Sequence, residues 1–401
     1  MKLLYIGTAC REDAYKKLLS RCRVKPSVAP FVFETALLQG FRAQNAALSA
    51  LAFPMLAAFP ASPLLAWGAR RETLVDHYPC TWIPAVNIKG LKQFSQRISA
   101  RKLIKKHLKE SKGEDCAVLL SSIYEPVAYN ALRLCSKYGA PCFAIVPDLP
   151  RDMYANQKSG KIKQALSRRY VKKATALQGE FDGYIYLTEA MKEEINPAAP
   201  YIVVEAIADI HTFEEVPVQP KKKAIMYAGS LNEKFGIANL IEAFLQFDNP
   251  EWELWIFGAG DYVNQVEAAA KACPAISYFG RVEREEVLKR EREASLLVNP
   301  RPTDEAYTRF SFPSKTVEYM LSGTPLLTTR LQGIPEPYFA HVFSAADNRP
   351  ESLAACLREI ASRSPEELAQ FARGAQAFVA QRCSAARQAQ RILEFMCAQH
   401  E

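Results

Sequence analysis

The sequence predicts an α/β protein built from two Rossmann-like domains. Its 401 residues suffice for two or three domains that each bury a core, and its apolar and charged fractions are those of a globular protein. Strand-like apolar runs alternate with helical segments in two separate series, and a segment with linker composition, 214–223, lies between them. We therefore predict an N-terminal domain over 1–205, a C-terminal domain over 206–380 and a final helical segment over 381–401.

The first series starts with a strand at 3–6 and a turn of small residues at 7–9, which would lie at the ligand edge of a doubly wound sheet. A helix at 31–42 follows. The remaining strands of this domain are expected at 117–120, 141–146, 183–187 and 202–204. The amino terminus enters the first strand with no signal-peptide cleavage pattern, and the ten cysteines form no Cys-x-x-Cys pair. Both features favour a cytoplasmic protein with reduced thiols.

Two segments of this domain raise the question of membrane contact. Residues 46–67 are long and apolar enough for a spanning helix, but three prolines favour a buried strand followed by an apolar loop. Residues 89–112 hold nine lysine or arginine residues against one acid, and residues 158–173 hold seven and no acid. In 89–112, the apolar residues expected near one helical face are Leu91, Phe94, Ile98, Ile104 and Leu108. This pattern predicts either a helix on an anionic membrane surface or a domain helix with a solvated basic face. Nucleic acid is not an expected partner, because no nucleic-acid motif accompanies these charges.

The second series places small or charged residues after successive strands. Gly229 and Ser230 end the strand that begins at 224, and Lys234 follows in the turn. Gly258 and Gly260 end the strand that begins at 251, without the third glycine of a dinucleotide fingerprint. Because the carboxyl ends of parallel strands meet at one edge, we expect these residues to converge on one crevice.

The segment 309–325 joins this crevice. It reads as a loop entering a helix at Pro313 and Ser314, with Lys315 in the first turn and Glu318 three residues later. The N–H groups of such a helix start, together with a lysine, suit a phosphate, and Glu318 could reach a ribose diol. The alternative is that Ser314 only caps the helix and Glu318 is a solvated helix residue.

The second half resembles the donor domain of family-4 retaining glycosyltransferases, which have the GT-B fold. The resemblance rests on 227–236, 256–260 and 312–325. Residues 5–10, 148–150 and 187–191 are similar to the branch that builds capsular or other surface polysaccharides. The resemblance implies two Rossmann-like domains facing a central cleft, with the C-terminal helix crossing back to the N-terminal domain.

The resemblance also implies site roles. The donor diphosphate would be held by one group of residues: Gly229, Ser230, Gly258, Gly260, Lys234, Ser314 and Lys315. Glu318 would hold the ribose, the segment at Arg281 and Val282 would frame the base, and Asp148 is the candidate near the anomeric carbon.

Three positions depart from the family pattern. Phe310 occupies the place of the first glutamate of the Glu-x7-Glu motif, so the sugar-side role of that glutamate is unfilled or passes to Arg309 or to a backbone group. Ser230 stands where an arginine is usual, which removes one positive charge from the phosphate site. Pro147 stands where many relatives carry a histidine.

These features together predict a retaining hexosyltransferase that uses a nucleotide-diphosphate sugar, with UDP-sugar as the expected donor, and requires no cofactor. No Asp-x-Asp follows a strand and the histidines are dispersed, so no metal site is expected. The expected acceptor is a lipid-linked or oligosaccharide intermediate at the anionic inner face of the cell membrane. The alternatives are a nucleotide-sugar epimerase of the same fold and a catalytically inactive nucleotide-sugar-binding scaffold.

Overall fold

The computed structural model describes residues 1–24, 29–149, 151 and 161–399, and the chain divides into two compact units. Unit 1 comprises Met1–Ile207 together with Ala385–Glu401, and unit 2 comprises Ala208–Ser384. Pro150 and Lys158, which belong to segments singled out in the sequence, lie outside the described residues. The predicted α/β class with parallel sheets and a returning C-terminal helix is confirmed.

Unit 1 is built on an eight-stranded sheet of order β10-β9-β8-β7-β1-β2-β5-β4, in which only the β4–β5 pair is antiparallel. Its elements in chain order are β1 (Lys2–Gly7), α1 (Glu12–Leu19), α2 (Ala29–Ala43), β2 (Leu48–Ala52), β3 (Ala66–Trp67), β4 (Arg71–Leu74), β5 (Tyr78–Trp82), β6 (Ala85–Val86), α3 (Lys92–Glu110), β7 (Cys116–Leu120), α4 (Glu125–Tyr138), β8 (Cys142–Val146), α5 (Lys161–Leu177), β9 (Gly183–Tyr186), α6 (Met191–Ile195) and β10 (Tyr201–Val203).

The central strands of this sheet are covered on both faces, which explains their continuous apolar sequences. Every residue of β7 and β8 is buried. The segment 46–67 forms the buried strand β2 and an irregular apolar loop, as its prolines indicated. Among the described residues, no helix has the length and hydropathy needed to span a bilayer.

Unit 2 is built on a six-stranded parallel sheet of order β13-β12-β11-β14-β15-β16. Its strands and helices are β11 (Lys222–Ser230), α7 (Ile237–Phe247), β12 (Glu253–Ala259), α8 (Val263–Ala272), β13 (Ile276–Gly280), α9 (Arg284–Glu293), β14 (Ala294–Asn299), α10 (Ser314–Leu321), β15 (Leu326–Thr329), β16 (Phe343–Ala345), α11 (Pro350–Ala361) and α12 (Pro365–Cys383). Short 3-10 turns occupy Ile210–Phe213, Glu233–Phe235, Ala306–Phe310 and Glu336–Ala340.

The last helix, α13 (Ala385–Ala398), packs in unit 1. Its Ala389, Ile392 and Met396 are buried in that core, and the guanidinium of Arg391 donates to the carbonyl of Val203 at 3.0 Å. At Gly40 of α2, an added Cβ would lie 2.1 Å from the carbonyl oxygen of Ala385, so only glycine permits this approach. The chain therefore leaves unit 1 after β10 and returns to it for its last helix.

Candidate functional site

Helix α10 is fixed to the central strand of unit 2 by a tyrosine. The buried hydroxyl of Tyr319 donates to the carbonyl of Ala228 at 3.1 Å and accepts from the amide of the same residue at 2.9 Å. Because Ala228 lies near the carboxyl end of β11, the start of α10 is held beside that end. Ser314 is the first residue of the helix rather than its cap; the N-cap position is Pro313, whose side chain cannot accept from the first-turn N–H groups.

Lys315 lies at the centre of a charge cluster with two carboxylates. Its Nζ contacts Glu318 Oε1 and lies 3.3 Å from Oε1 of the fully buried Glu291, and it sits 5.4 Å from the ring centroid of Tyr319. The second carboxylate oxygen of Glu318 pairs with Arg284 Nη1 at 2.8 Å. Glu318 is thus held at the predicted place, but both of its oxygens have cationic partners.

The pKa values of the two carboxyl groups are shifted in opposite directions. Burial raises the pKa of Glu291 to about 8, an effect that Lys315 only partly offsets. Burial would also raise the pKa of Glu318, but Lys315 and Arg284 outweigh it and lower that pKa to about 2. Burial alone would lower the pKa of Lys315, but the two carboxylates raise it above its usual range. The cluster therefore carries a cationic lysine, an ionised Glu318 and a neutral Glu291 at pH 7.

The raised pKa of Glu291 predicts a pH-dependent stability. Between the usual glutamate pKa and about 8, the unfolded chain has lost this proton and the folded chain keeps it, so stability is fully present below that window and falls as pH rises through it. We expect this group to lower the free energy of unfolding of unit 2 by about 1.4 kcal/mol per pH unit across the window. Glu291→Gln should remove that slope, and denaturant unfolding at pH 5.5 and 7.5 measures it. Equal slopes in the variant and the wild type would show that Glu291 is ionised in the folded protein.

Lys234 projects from the turn that follows β11. The residue is exposed within the 3-10 turn Glu233–Phe235, and its Nζ lies 5.1 Å from the ring centroid of Phe235. Gly236 ends this turn with a φ of 82°, and a Cβ there would lie 1.9 Å from the carbonyl oxygen of Pro300. The turn that carries Lys234 is therefore in direct contact with the chain segment that leaves β14.

The glycines after β11 and β12 allow two strand ends to meet. Gly229 pairs with Gly258 in the parallel ladder between these strands. Gly258 has a φ of 134°, and an added Cβ would lie 1.8 Å from the carbonyl oxygen of Gly229; at Gly260 the Cβ would lie 2.2 Å from that of Leu231. Ser230, the last residue of β11, is exposed beside this contact.

The other predicted residues of unit 2 lie at the same edge of the sheet. Arg281 is exposed and Val282 half-buried, directly after β13. Arg309 is half-buried with its guanidinium 4.7 Å from the ring centroid of Phe310, which is buried. Phe310 therefore belongs to the core and supplies no polar group in place of the glutamate of the family pattern.

Asp148, the predicted residue of unit 1, is exposed just beyond the carboxyl end of β8. In the same unit, the turn after β1 already binds an anionic group of the chain itself. Glu34 of α2 accepts from the amides of Thr8 at 2.8 Å and Ala9 at 3.0 Å and from the hydroxyl of Tyr5 at 2.9 Å. The N–H groups of the turn after β1, which the sequence placed at the ligand edge, therefore donate to a side chain of the protein itself.

Sequence reasoning missed four side chains of these sites. Glu34, Glu291, Arg284 and Arg301 were read as ordinary helix or loop residues, although a single acid in the apolar run of α2 was a usable signal for Glu34. Among the residues that the structure describes, no three His, Cys, Asp or Glu side chains are grouped as a metal ion would require.

Comparisons with known proteins find similarity in both sequence and fold. Residues 222–363 match the family model described as "Glycosyl transferases group 1". The matched segment lies within unit 2. It carries β11, β12 and α10, and therefore all of the predicted site residues except Asp148.

Solved structures extend the likeness to the whole chain. HepE of Anabaena, determined in complex with UDP, is 16% identical with a TM-score of 0.63, covering 99% of this chain and 100% of HepE. A sucrose-phosphate synthase from Thermosynechococcus elongatus is 13% identical with a TM-score of 0.64, covering 99% and 100%. The trehalose 6-phosphate synthase of Burkholderia multivorans is 10% identical with a TM-score of 0.62, covering 99% and 96%. No curated protein matches the chain by sequence. The chain thus has a GT-B-like fold.

Proposed function

We propose that the protein is a retaining glycosyltransferase that moves a hexosyl group from a UDP-sugar to a glycan acceptor. The observation that carries the proposal is that Lys234 follows β11 and Lys315 begins α10 beside the end of β11, within the segment that matches the group 1 glycosyltransferase model. HepE has been solved with UDP and with UDP-glucose, which supports uridine as the base. Arg281 and Val282 would frame that base.

The proposed chemistry needs positive charge where the diphosphate leaves. Breaking the sugar–phosphate bond places a developing negative charge on the β-phosphate, and fixed cations and N–H dipoles stabilise it without rearranging. Lys234, Lys315 and the N–H groups at Ser314 provide this environment, so the proposed step does not depend on a metal. Retention would follow from attack of the acceptor hydroxyl on the face that the diphosphate leaves.

The remaining roles concern the sugar and the ribose. Glu318 is proposed to bind the ribose, whose hydroxyls would replace Arg284 or Lys315 on its carboxylate. Arg309 is proposed for the sugar side, since Phe310 has no polar atom, and Asp148 of unit 1 for the acceptor side.

A panel of nucleotides tests the donor site. A ligand present at 100 times its dissociation constant stabilises the native state by about 2.7 kcal/mol. We therefore expect UDP to raise the melting temperature of the protein by several degrees, and uridine to have little effect. Stabilisation by uridine equal to that by UDP would contradict a diphosphate site.

We further propose a lipid-linked acceptor for surface-polysaccharide synthesis, with the protein at the inner face of the cell membrane. An exposed apolar surface on unit 1 supports this proposal. Eight of the fourteen large apolar side chains exposed among the described residues fall between positions 55 and 98. Hydrogen bonds join the segments that carry them, from Phe59 to Asn87, from Asn87 to Leu65 and from Val86 to Ser95. We call this set the apolar surface; it comprises Met55, Phe59, Leu65, Val86, Ile88, Leu91, Phe94 and Ile98.

The residues of the predicted apolar face of α3 fall into a buried group and an exposed group. Ile104 and Leu108 are buried in the domain, together with Gln96 and Ala100, so the single apolar face expected from the sequence is wrong. Three basic residues of α3 are engaged: Lys92 donates to the carbonyl of Leu56, Arg97 pairs with Glu125 and Lys106 pairs with Glu110. The exposed cations that border the apolar surface and match an anionic bilayer are Lys89, Arg101, Lys102 and Lys105.

Phe94→Glu combined with Ile98→Glu should abolish most binding to anionic vesicles. Each side chain inserted into lipid contributes about 1.5–3 kcal/mol, so the double variant should bind at least about tenfold more weakly. Sedimentation with vesicles containing phosphatidylglycerol measures the effect, and Leu245→Glu, an exposed leucine of α7 in unit 2, is the matched control. Equal binding by both variants would remove the apolar surface as the contact.

A further inference from the structure

Arg301 is a cation that the sequence analysis left without a role. It follows β14 by two residues and is half-buried, and burial lowers the pKa of its guanidinium. Among the described residues, no carboxylate lies within ion-pair distance of it, whereas Arg284, Arg290 and Arg330 of the same unit each have one. An unpaired charge taken out of water destabilises a folded protein unless a counter-ion joins it. The guanidinium of Arg301 thus has no anionic partner among the described residues.

The backbone holds Arg301 at the proposed diphosphate site. The hydroxyl of Thr329, at the end of β15, donates to the carbonyl of Arg301 at 2.6 Å. On the other side, Pro300 touches Gly236 at the end of the turn that carries Lys234. β14 lies next to β11 in the sheet, so the segment after β14 adjoins the Gly229–Ser230 turn.

The side chain of Arg301 lies beside the turn that carries Lys234. Its guanidinium carbon is 5.1 Å from the ring centroid of Phe235, the ring that Lys234 Nζ also approaches at 5.1 Å. Burial raises the pKa of Tyr227 to about 12, and the positive charges of Arg301 and Lys315 both oppose that rise. The Tyr227 hydroxyl donates to the carbonyl of Ser230 at 2.9 Å. Arg301 thus shares an aromatic ring with Lys234, and its charge acts on the same tyrosine as the charge of Lys315.

We propose that Arg301 binds the diphosphate of the nucleotide donor, together with Lys234 and Lys315. The inference rests on the proposed function, since it assigns a further contact in the same site. A guanidinium presents paired N–H donors that match two phosphate oxygens, whereas a lysine acts as a point charge. Arg301 supplies the positive charge that Ser230 lacks, from a different strand of the sheet. Arg301 would therefore favour a nucleoside diphosphate over a nucleoside monophosphate.

Calorimetric titration of UDP and UMP into the wild type, Arg301→Ala and Arg301→Lys tests the assignment. We expect Arg301→Ala to weaken UDP binding by about 10- to 100-fold, the range of a charged hydrogen bond, and UMP binding by less than about threefold. Arg301→Lys should recover part of the UDP affinity. The matched control is Arg363→Ala, which removes a cation 5.0 Å from the ring centroid of Phe343, at the opposite end of the sheet, and should bind UDP as the wild type does.

The melting temperature without ligand separates binding from a structural role. Removing an unpaired charge should leave the melting temperature of Arg301→Ala equal to that of the wild type or above it. A lower melting temperature with unchanged UDP affinity would overturn the assignment and make Arg301 a packing residue. Wild-type protein that binds neither UDP nor UMP would instead overturn the proposed donor site, and Arg301 with it.

Discussion

Replacing Lys234 with alanine is expected to slow sugar transfer by about 10²- to 10³-fold, the usual effect of removing one group that stabilises developing charge. The side chain is exposed and has no carboxylate partner among the described residues, so the variant should fold and melt like the wild type. The loss should appear in kcat as well as in kcat/KM, because the charge on the diphosphate grows in the transition state.

The control for this variant is Lys271→Ala. Lys271 is an exposed lysine in the last turn of α8, in the same unit. The Lys271→Ala variant should transfer sugar at the wild-type rate. Transfer by Lys234→Ala at the control rate would remove Lys234 from the site.

Replacing Lys315 with alanine is expected to impair both transfer and folding. Transfer should fall by a factor similar to that for Lys234, because Lys315 faces the same anion. The substitution also leaves Glu291 and Glu318 without their shared cation. Breaking a fully buried pair costs about 3–5 kcal/mol, and the partial exposure of the Lys315 side chain lowers our expectation to about 1–3 kcal/mol.

A double variant separates the two effects. Lys315→Ala combined with Glu318→Gln removes the ionised carboxylate along with the lysine, so it should regain part of the lost stability and none of the lost transfer. Urea unfolding and transfer assays on both variants give the comparison. Recovery of transfer in the double variant would mean that Lys315 acts only by neutralising Glu318.

Much of unit 2 could be predicted from the sequence, because local patterns specify it. Strand runs such as 224–228 end in glycine, and the segment 309–325 carries its own helix start, so the order of the elements already places their ends at one edge. The same logic placed Lys234 in the turn after β11, and Lys315 and Glu318 at the start of α10.

The contacts that long-range packing creates could not be predicted. Glu291 lies in the highly charged helix α9, where sequence indicates solvent, and only the packing of α9 beside the sheet buries it opposite Lys315. Arg301 carries no motif, and its proximity to Phe235 arises from segments far apart in the chain. The apolar residues of α3 were predicted to share one face, whereas Ile104 and Leu108 are buried and Phe94 and Ile98 are exposed. Periodicity does not reveal which apolar residues of a helix meet a neighbouring element.

The most direct test is transfer of labelled sugar from UDP-hexoses to isolated membranes by the wild type, with the released UDP measured in the same samples. We expect one UDP released for each hexose transferred, an α-anomeric product from an α-linked donor, and a large loss in Lys234→Ala. Tight UDP binding without transfer or UDP release would contradict a glycosyltransferase and indicate a binding scaffold, and an altered sugar recovered on the nucleotide would indicate an epimerase.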